Sequence, residues 1–408
     1  MTQDTARDPA LLRKLAPYLF AALVGVFYVL NAVVMNWVLA DGGTSPVTGT
    51  TPFWDFNNLW SGTRMALDGN VDTLWDAEAY RAELRGMHSP DLPDHEWSYP
   101  PHMLLVGLPF ALLPELSAYL LWTSATLFAA FLAIRAAGAT VLETAAAMVS
   151  STVGFNILLG QNGALTAALF LGGFALLEKR PALAGVLFGL LTVKPHLGIV
   201  IPLVLIVTHS WTTIATACLT SAAMLAGTTM IWGGGVWTGF MEGTVPLMRD
   251  TILYAPVPQG FQINSANLFM TMRSLGMGIA PSQLIQLALS ASCALAAAWA
   301  WSRRDTIDRP LLIAITATLA FAALPYGYVY EMLGVMFAAV ILLRYQWTPW
   351  GLRLFALVSA TPVISRVLFQ HTYTSTAILV VGLLLWALWA AGFKRTAPVT
   401  TQTYSTDN

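Results

Sequence analysis

The sequence predicts an all-α polytopic membrane protein, and three observations carry that prediction. Hydrophobic residues make up 56% of the 408-residue chain and charged residues only 10%, against roughly 25% charged for a soluble domain. The mean hydropathy is +0.64. Apolar segments recur along the whole length, many of them near the roughly 20 residues that cross a bilayer.

The first apolar stretch, 17–40, is longer than a signal-peptide core and lacks a small-residue cleavage site, so it reads as a retained anchor. Arg7, Arg13 and Lys14 precede it and place the N-terminus in the cytoplasm by the positive-inside rule. The polar loop 41–101 that follows is then external. It holds nearly half of the acidic residues before apolar sequence returns at Tyr99-Pro100-Pro101. Further apolar segments fall near 102–114, 116–134, 140–159, 164–177, 181–193, 196–210, 212–233, 282–302, 310–326, 332–345, 352–368 and 374–393. Basic clusters mark cytoplasmic turns: Lys179-Arg180, Arg303-Arg304 with Arg309, Arg344 with Arg353, and Lys394-Arg395.

Both termini are therefore cytoplasmic, which requires an even number of crossings. The segment 102–114 is short and bounded by Pro101 and Pro114. Reading it as re-entrant or interfacial leaves about twelve spans. The expected organisation is one integral membrane domain, 1–395, with a late external loop at 233–280 and a disordered cytoplasmic tail at 396–408. A multi-pass protein of the inner (plasma) membrane follows, with membrane lipids around it. The net charge of −1 argues against a nucleic-acid partner. Cys218 and Cys293 both lie in apolar helices and are expected as buried free thiols.

This topology gathers the polar clusters on the external side. They are Trp54-Asp55-Phe56, Gly160-Gln161-Asn162-Gly163, Lys194-Pro195-His196, and the run from Pro325 through Tyr326, Tyr328 and Tyr330 to Glu331. The late loop adds Arg249, Gln262, Asn264, Asn267 and Arg273. Polar residues are costly in an apolar protein and tend to line functional cavities. Each cluster also has a plainer reading. Asp55 would cap a helix running from Asn57 to Leu67, and Gly-Gln-Asn-Gly would be a tight turn. Lys194 would snorkel, and the tyrosines would form an interfacial belt. Glu331 resists such a reading, because a carboxylate opening an apolar run needs a partner. The six histidines show no metal-ligand spacing, and no HExxH, P-loop or GxSxG pattern occurs.

These parts suit glycosyl transfer from a lipid phosphate. Phosphate leaves readily, so one carboxylate acting as base on the acceptor hydroxyl suffices, with inversion at the sugar carbon. Cations must meet the departing phosphate, a role for Lys194, Arg249 and Arg273. Amides, phenols and other polar groups partner sugar and acceptor hydroxyls. That role falls to Asn57, Asn58, Tyr99, Gln161, Asn162, His196, Gln262, Asn264, Tyr328 and Glu331. No cofactor is expected, and the reaction is expected to be independent of metal.

Several motifs occur in order: Asp55-Phe-Asn-Asn-Leu-Trp-Ser-Gly62, Tyr99-Pro100-Pro101, Gly160-Gln161-Asn162, Lys194-Pro195, Asn264-Ser265-Ala266-Asn267 through Arg273, and Pro325-Tyr326 with Glu331. The series resembles glycosyltransferase family 87, membrane enzymes of the GT-C fold that use polyprenyl-phosphate sugars. Two positions depart from that pattern: Asn264-Ser265-Ala266 stands for a tidier Asn-Gln-Ser, and Glu331 for an aspartate. The resemblance implies a GT-C fold, Asp55 as catalytic base, and a mannose-type polyprenyl-phosphate donor, with a lipid or glycan as acceptor. It points to the α-mannosyltransferases of phosphatidylinositol mannoside synthesis. An O-antigen-ligase-like transferase is disfavoured by the early acid and the modest late loop. A lipid or sugar transporter is disfavoured by the lack of an evident inverted repeat.

Overall fold

The computed structural model describes residues 9–34, 37, 43–46, 49–257, 260–372 and 377–393. Arg7, Asp41, Lys394-Arg395 and the tail 396–408 lie outside the described residues. The fold is all-α. Helix α1 (Pro9–Val33) leads to a loop carrying α2 (Trp54–Leu67), α3 (Ala77–Met87) and α4 (Met103–Ala111). Then follow α5 (Glu115–Ala136), α6 (Val141–Met148), α7 (Ser151–Leu159), α8 (Gly163–Leu176), α9 (Pro181–Leu190), α10 (Ile201–Val207) and α11 (Trp211–Trp232). The second half contains α12 (Gly235–Gly239), α13 (Val245–Tyr254), α14 (Leu268–Ser274), α15 (Ile279–Ser302), α16 (Arg309–Ala322), α17 (Leu333–Leu342), α18 (Pro349–Thr372) and α19 (Ala377–Phe393).

The apolar segments read from the sequence thus coincide with helices throughout the described residues. Four helices are long and apolar enough to cross a membrane unaided: α5, α11, α15 and residues 349–369 of α18. The pair α6–α7, bent by 52°, makes a fifth candidate. This is a multi-pass membrane protein. The segment at 102–114 forms only α4, nine residues long, shorter than the apolar helices that could cross.

The centre of the bundle is the α16–α17 hairpin. Residues 311–322 of α16 are all buried, as is α17 apart from Gly334. Helices α8, α15, α18 and α19 pack around it. Its threonines bond their own helix, Thr316 donating to the Leu312 carbonyl at 2.7 Å and Thr318 to that of Ala314 at 2.9 Å. Neither of these two hydroxyls is thereby left unpaired in the apolar interior. A second, aromatic-rich cluster lies under α2–α5, with Phe56, Tyr80, Trp97 and Trp122 at its heart. Outward faces carry large apolar side chains such as Leu23, Phe27, Met230 and Trp386, as contact with lipid requires. Cys293 is buried, but Cys218 is exposed on α11. Only 11% of that helix's apolar window is covered by protein, so an apolar sequence there faces lipid instead of core.

Ion pairs tie the basic turns together at one end. Arg309 reaches Glu178 at 2.7 Å and Arg304 reaches it at 3.6 Å, joining the α8–α9 and α15–α16 turns. Arg344 pairs with Glu143, and the Tyr345 hydroxyl with Asp308. The α7–α8, α9–α10 and α16–α17 turns therefore meet at the opposite end.

Candidate active site

Asp55 sits in the first turn of α2. The helix begins earlier than the sequence suggested, at Trp54, and Asp55 is not its cap. The residue before the helix, Phe53, adopts a left-handed conformation (φ 46°, ψ 42°). This is an uncommon geometry for a side chain with a ring, held here by stacking on Tyr119 at 4.5 Å. The reversal turns the chain so that Asp55 points into the protein. Its carboxylate lies 3.7 Å from His95 Nε2. Burial pushes Asp55 up to about 6, while a hydrogen bond with Gln161 and the charge of Lys194 pull against that rise.

The Gly160–Gly163 turn is wedged between two elements of the site. Gly160 is left-handed (φ 64°), and a Cβ there would stand 2.3 Å from Phe56 Cβ. A Cβ on Gly163 would stand 2.1 Å from the Tyr330 carbonyl oxygen. Only glycine permits both approaches. Asn156, which the sequence reading passed over, locks the arrangement. Its Nδ2 donates to the Tyr330 carbonyl at 2.8 Å, and its Oδ1 accepts from the Ala164 amide at 2.9 Å. The turn thus carries Gln161 and Asn162 between α2 and the loop before α17.

That loop supplies the second charged group. Lys194 Nζ donates to Glu331 Oε1 at 2.8 Å, and His196 Nε2 lies 3.9 Å from the same oxygen. The other oxygen, Oε2, accepts from the Tyr328 amide at 3.1 Å. Burial alone would raise Glu331, but Lys194 and His196 overcome it and hold the carboxyl down at about 2. Lys194 does not snorkel; it also lies 5.4 Å from the Tyr330 ring centroid. Tyr328 and Tyr330, both half-buried, stack on each other at 5.2 Å. Burial and the nearby carboxylates Asp55 and Glu331 raise the Tyr99, Tyr328 and Tyr330 phenols, which stay neutral donors.

The late loop is stitched to the same place. The Ala266 amide donates to the Gly327 carbonyl at 2.8 Å, and Ser265 pairs with Tyr328 as an antiparallel bridge. Asn267 caps α14 through the Met270 amide at 2.8 Å. Gln262 is buried in this loop, and Asn264 is half-buried. Asn162 and Asn264 each keep a buried side-chain carbonyl oxygen without a protein partner, as an acceptor awaiting a hydroxyl would.

The remaining predicted residues are committed elsewhere. Asn57 donates to the Thr51 hydroxyl, and Asn58 donates to the Glu96 carbonyl at 3.1 Å while accepting from Tyr80. Both brace α2. Arg249 is exposed and pairs with its neighbour Asp250 at 3.0 Å. Arg273 donates to the Met277 carbonyl at 3.0 Å, closing the end of α14. Among the described residues, neither arginine bonds to Asp55, Lys194 or Glu331. His95, one of the six histidines that showed no metal-ligand spacing in the sequence, is an ion-pair neighbour of Asp55. Its ring stacks on Trp54 at 4.5 Å. No spacing announced that contact, which closes over 40 residues.

A multi-pass membrane protein with a half-buried aspartate, a lysine paired to a buried glutamate and uncommitted amides at one end is the class these observations define. The chain belongs to glycosyltransferase family 87, whose sequence model matches residues 97–325. It is a membrane glycosyltransferase. The matched stretch holds Gln161, Lys194 and Asn264, whereas Asp55 and Glu331 lie on either side of it. Neither a curated protein nor a solved structure matches the chain.

Proposed function

We propose that the protein is an inverting hexosyltransferase of the GT-C type that moves a sugar, mannose in our reading, from a polyprenyl-phosphate donor to a lipid or glycan acceptor. Asp55 is the general base. It takes the acceptor hydroxyl's proton as that oxygen attacks the sugar carbon and the bond to phosphate breaks. Lys194 meets the departing phosphate, with Arg249 and Arg273 drawn in when donor binds. Gln161, Asn162, Asn264, His196, Tyr99 and Tyr328 supply contacts to the hydroxyls. Four long helices, the bent pair and seven shorter apolar helices make twelve crossings in this reading. The basic turns and both termini are then cytoplasmic, and the site opens to the external face of the inner membrane.

The observation that carries the reading is Asp55 itself: a half-buried carboxyl beside His95 and Gln161 and within the field of Lys194, raised to about 6. A base held near neutrality matches what proton abstraction at physiological pH needs. The test is transfer of labelled hexose from a polyprenyl-phosphate donor into the source cells' membrane fraction, measured against pH. Turnover should fall as pH drops through about 6, the value to which Asp55 is raised, because the base must be ionised. Asp55→Asn should keep less than a few per cent of it. Retention of more than a few per cent in that variant removes Asp55 from the role.

A further inference from the structure

His95 is the neighbour of Asp55 for which neither the family match nor the proposed chemistry has a use. The loop that carries it is clamped from both sides. Asp94 is paired with Arg85 at 2.6 Å, and Glu96 is paired with Arg81, so α3 holds the residues flanking His95. Arg85 also donates to the Leu92 carbonyl at 3.1 Å, and Asn58 of α2 holds the Glu96 carbonyl. With its neighbours tied outward to α3, His95 faces inward. Trp54 then fixes the plane of the ring, with an interplanar angle of 18°. One edge of the imidazole is thereby aimed at Asp55 Oδ1.

We propose, on the reading of Asp55 as base, that His95 is its positioning residue: a neutral imidazole that presents Nε2–H to Oδ1 and leaves the other carboxylate oxygen for the acceptor hydroxyl. The choice of a neutral donor has a physical reason. A cation at this distance would stabilise the carboxylate and weaken it as a base, whereas a neutral N–H orients it with less loss of basicity. Burial holds His95 well below its ordinary value, at about 4, which keeps it uncharged at working pH. The charged and titratable groups that share a field with Asp55 are Lys194, Tyr99, Tyr328 and Tyr330. His95 itself is flanked in the chain by Asp94 and Glu96, whose charges are met by Arg81 and Arg85. The separation of 3.7 Å is longer than a formed hydrogen bond. Contacts of this kind commonly tighten only once substrate is bound.

The experiment compares His95→Phe, His95→Gln and Asp55→Asn in the full-length protein, using a polyprenyl-phosphate mannose donor and the source cells' membrane fraction. His95→Phe keeps the ring on Trp54 and removes the donor. Its kcat should fall about 10–100-fold, the weight of one hydrogen bond to a charged group, with KM for the donor unchanged. The acid limb of its pH profile should move to higher pH, because the lost bond had favoured the ionised carboxylate. His95→Gln restores an uncharged N–H and should return most of the rate and the original limb. A His95→Phe enzyme with normal turnover, or one slowed with its limb unmoved, overturns the proposal. So does a His95→Gln enzyme as inactive as Asp55→Asn, since the ring would then be needed as a proton carrier. If His95→Phe fails to fold, His95→Leu, which also lacks the donor, takes its place and is read by the same outcomes. Failure of the underlying reading is separately visible, as substantial turnover in Asp55→Asn.

Discussion

Asp55, half-buried, and Glu331, buried, are carboxyls at the same end of the bundle, and their surroundings drive them in opposite directions. Asp55 faces a neutral imidazole and an amide, with Lys194 acting only through its field, so burial wins and the group rises to about 6. Glu331 has the ammonium of Lys194 in direct contact at 2.8 Å, the Tyr328 amide and His196, so attraction wins and it falls to about 2. Two acids in one site, set apart chiefly by their partners, recur wherever one must exchange a proton and the other must stay ionised. Weak partners leave the Asp55 carboxyl raised. Strong ones hold Glu331 ionised.

The sharpest way to break this comparison is to remove each charge and read activity and stability together. Asp55→Asn should cost about 10²–10⁴ in turnover, the range for a general base. The same change should stabilise the fold. A carboxyl raised in the folded state contributes stability below its unfolded value of 3.8 and loses it as pH rises through about 6. At neutral pH it is therefore a burden of about 2–3 kcal/mol, at roughly 1.4 kcal/mol per pKa unit. Thermal unfolding in detergent at pH 7 should show a higher Tm for the variant, and an unchanged or lower Tm would contradict the assignment. Glu331→Gln should do the reverse. A carboxyl lowered to about 2 contributes stability above its unfolded value of 4.5, lost only as pH falls through the folded value. Its removal strands the buried Lys194 ammonium, a loss of about 3–5 kcal/mol, and Tm should drop at every pH above 5.

How much of this was legible in the sequence follows the range of each interaction. Helix positions are local, set by runs of apolar residues, and the predicted segments fall on helices. Asp55, Gln161, Lys194 and Glu331 stood out because each is a polar interruption of apolar sequence, and interruptions in four turns at one end must meet. His95 and Asn156 gave no such signal. His95 lies in a loop where polar residues are ordinary, and Asn156 is a single amide inside α7 whose partners come from Tyr330 and Ala164. The left-handed Phe53 was equally hidden, since its conformation is imposed by the stack on Tyr119. Arg249 and Arg273 show the converse error: charge in the right loop did not bring contact, because Asp250 and the Met277 carbonyl are nearer.

Lys194 sharpens the comparison from the other side, because Glu331 already occupies it. Replacing it with alanine should weaken capture of a polyprenyl-phosphate donor by about 10–100-fold, the weight of one charge-assisted contact. Acceptor affinity should hold, since only the donor brings a phosphate. The variant also leaves Glu331 buried and unpaired, so the cleaner measurement is Lys194→Ala combined with Glu331→Gln. If the double variant binds donor as tightly as the parent, Lys194 serves the fold and not the phosphate. If acceptor affinity falls while donor affinity holds, the assignment is reversed.

The smallest expected effect is that of chelation, and it rests on how the charges are distributed. A sugar-nucleotide enzyme must neutralise a departing diphosphate, commonly with a divalent ion. The leaving group proposed here is a monophosphate, and Lys194, paired with Glu331 in this structure, is the cation assigned to meet it. A metal would need ligands in a cluster, and the two acids are instead partnered apart, Asp55 with His95 and Glu331 with Lys194 and His196. Among the described residues, no three His, Cys, Asp or Glu side chains gather as a metal site would require. EDTA should therefore leave the transfer rate within about twofold, a change worth roughly 0.4 kcal/mol in the barrier. A collapse of activity that manganese or magnesium restores would recast Asp55 as a ligand, and the contrast between the two acids would then describe a metal centre instead of a base and its anchor.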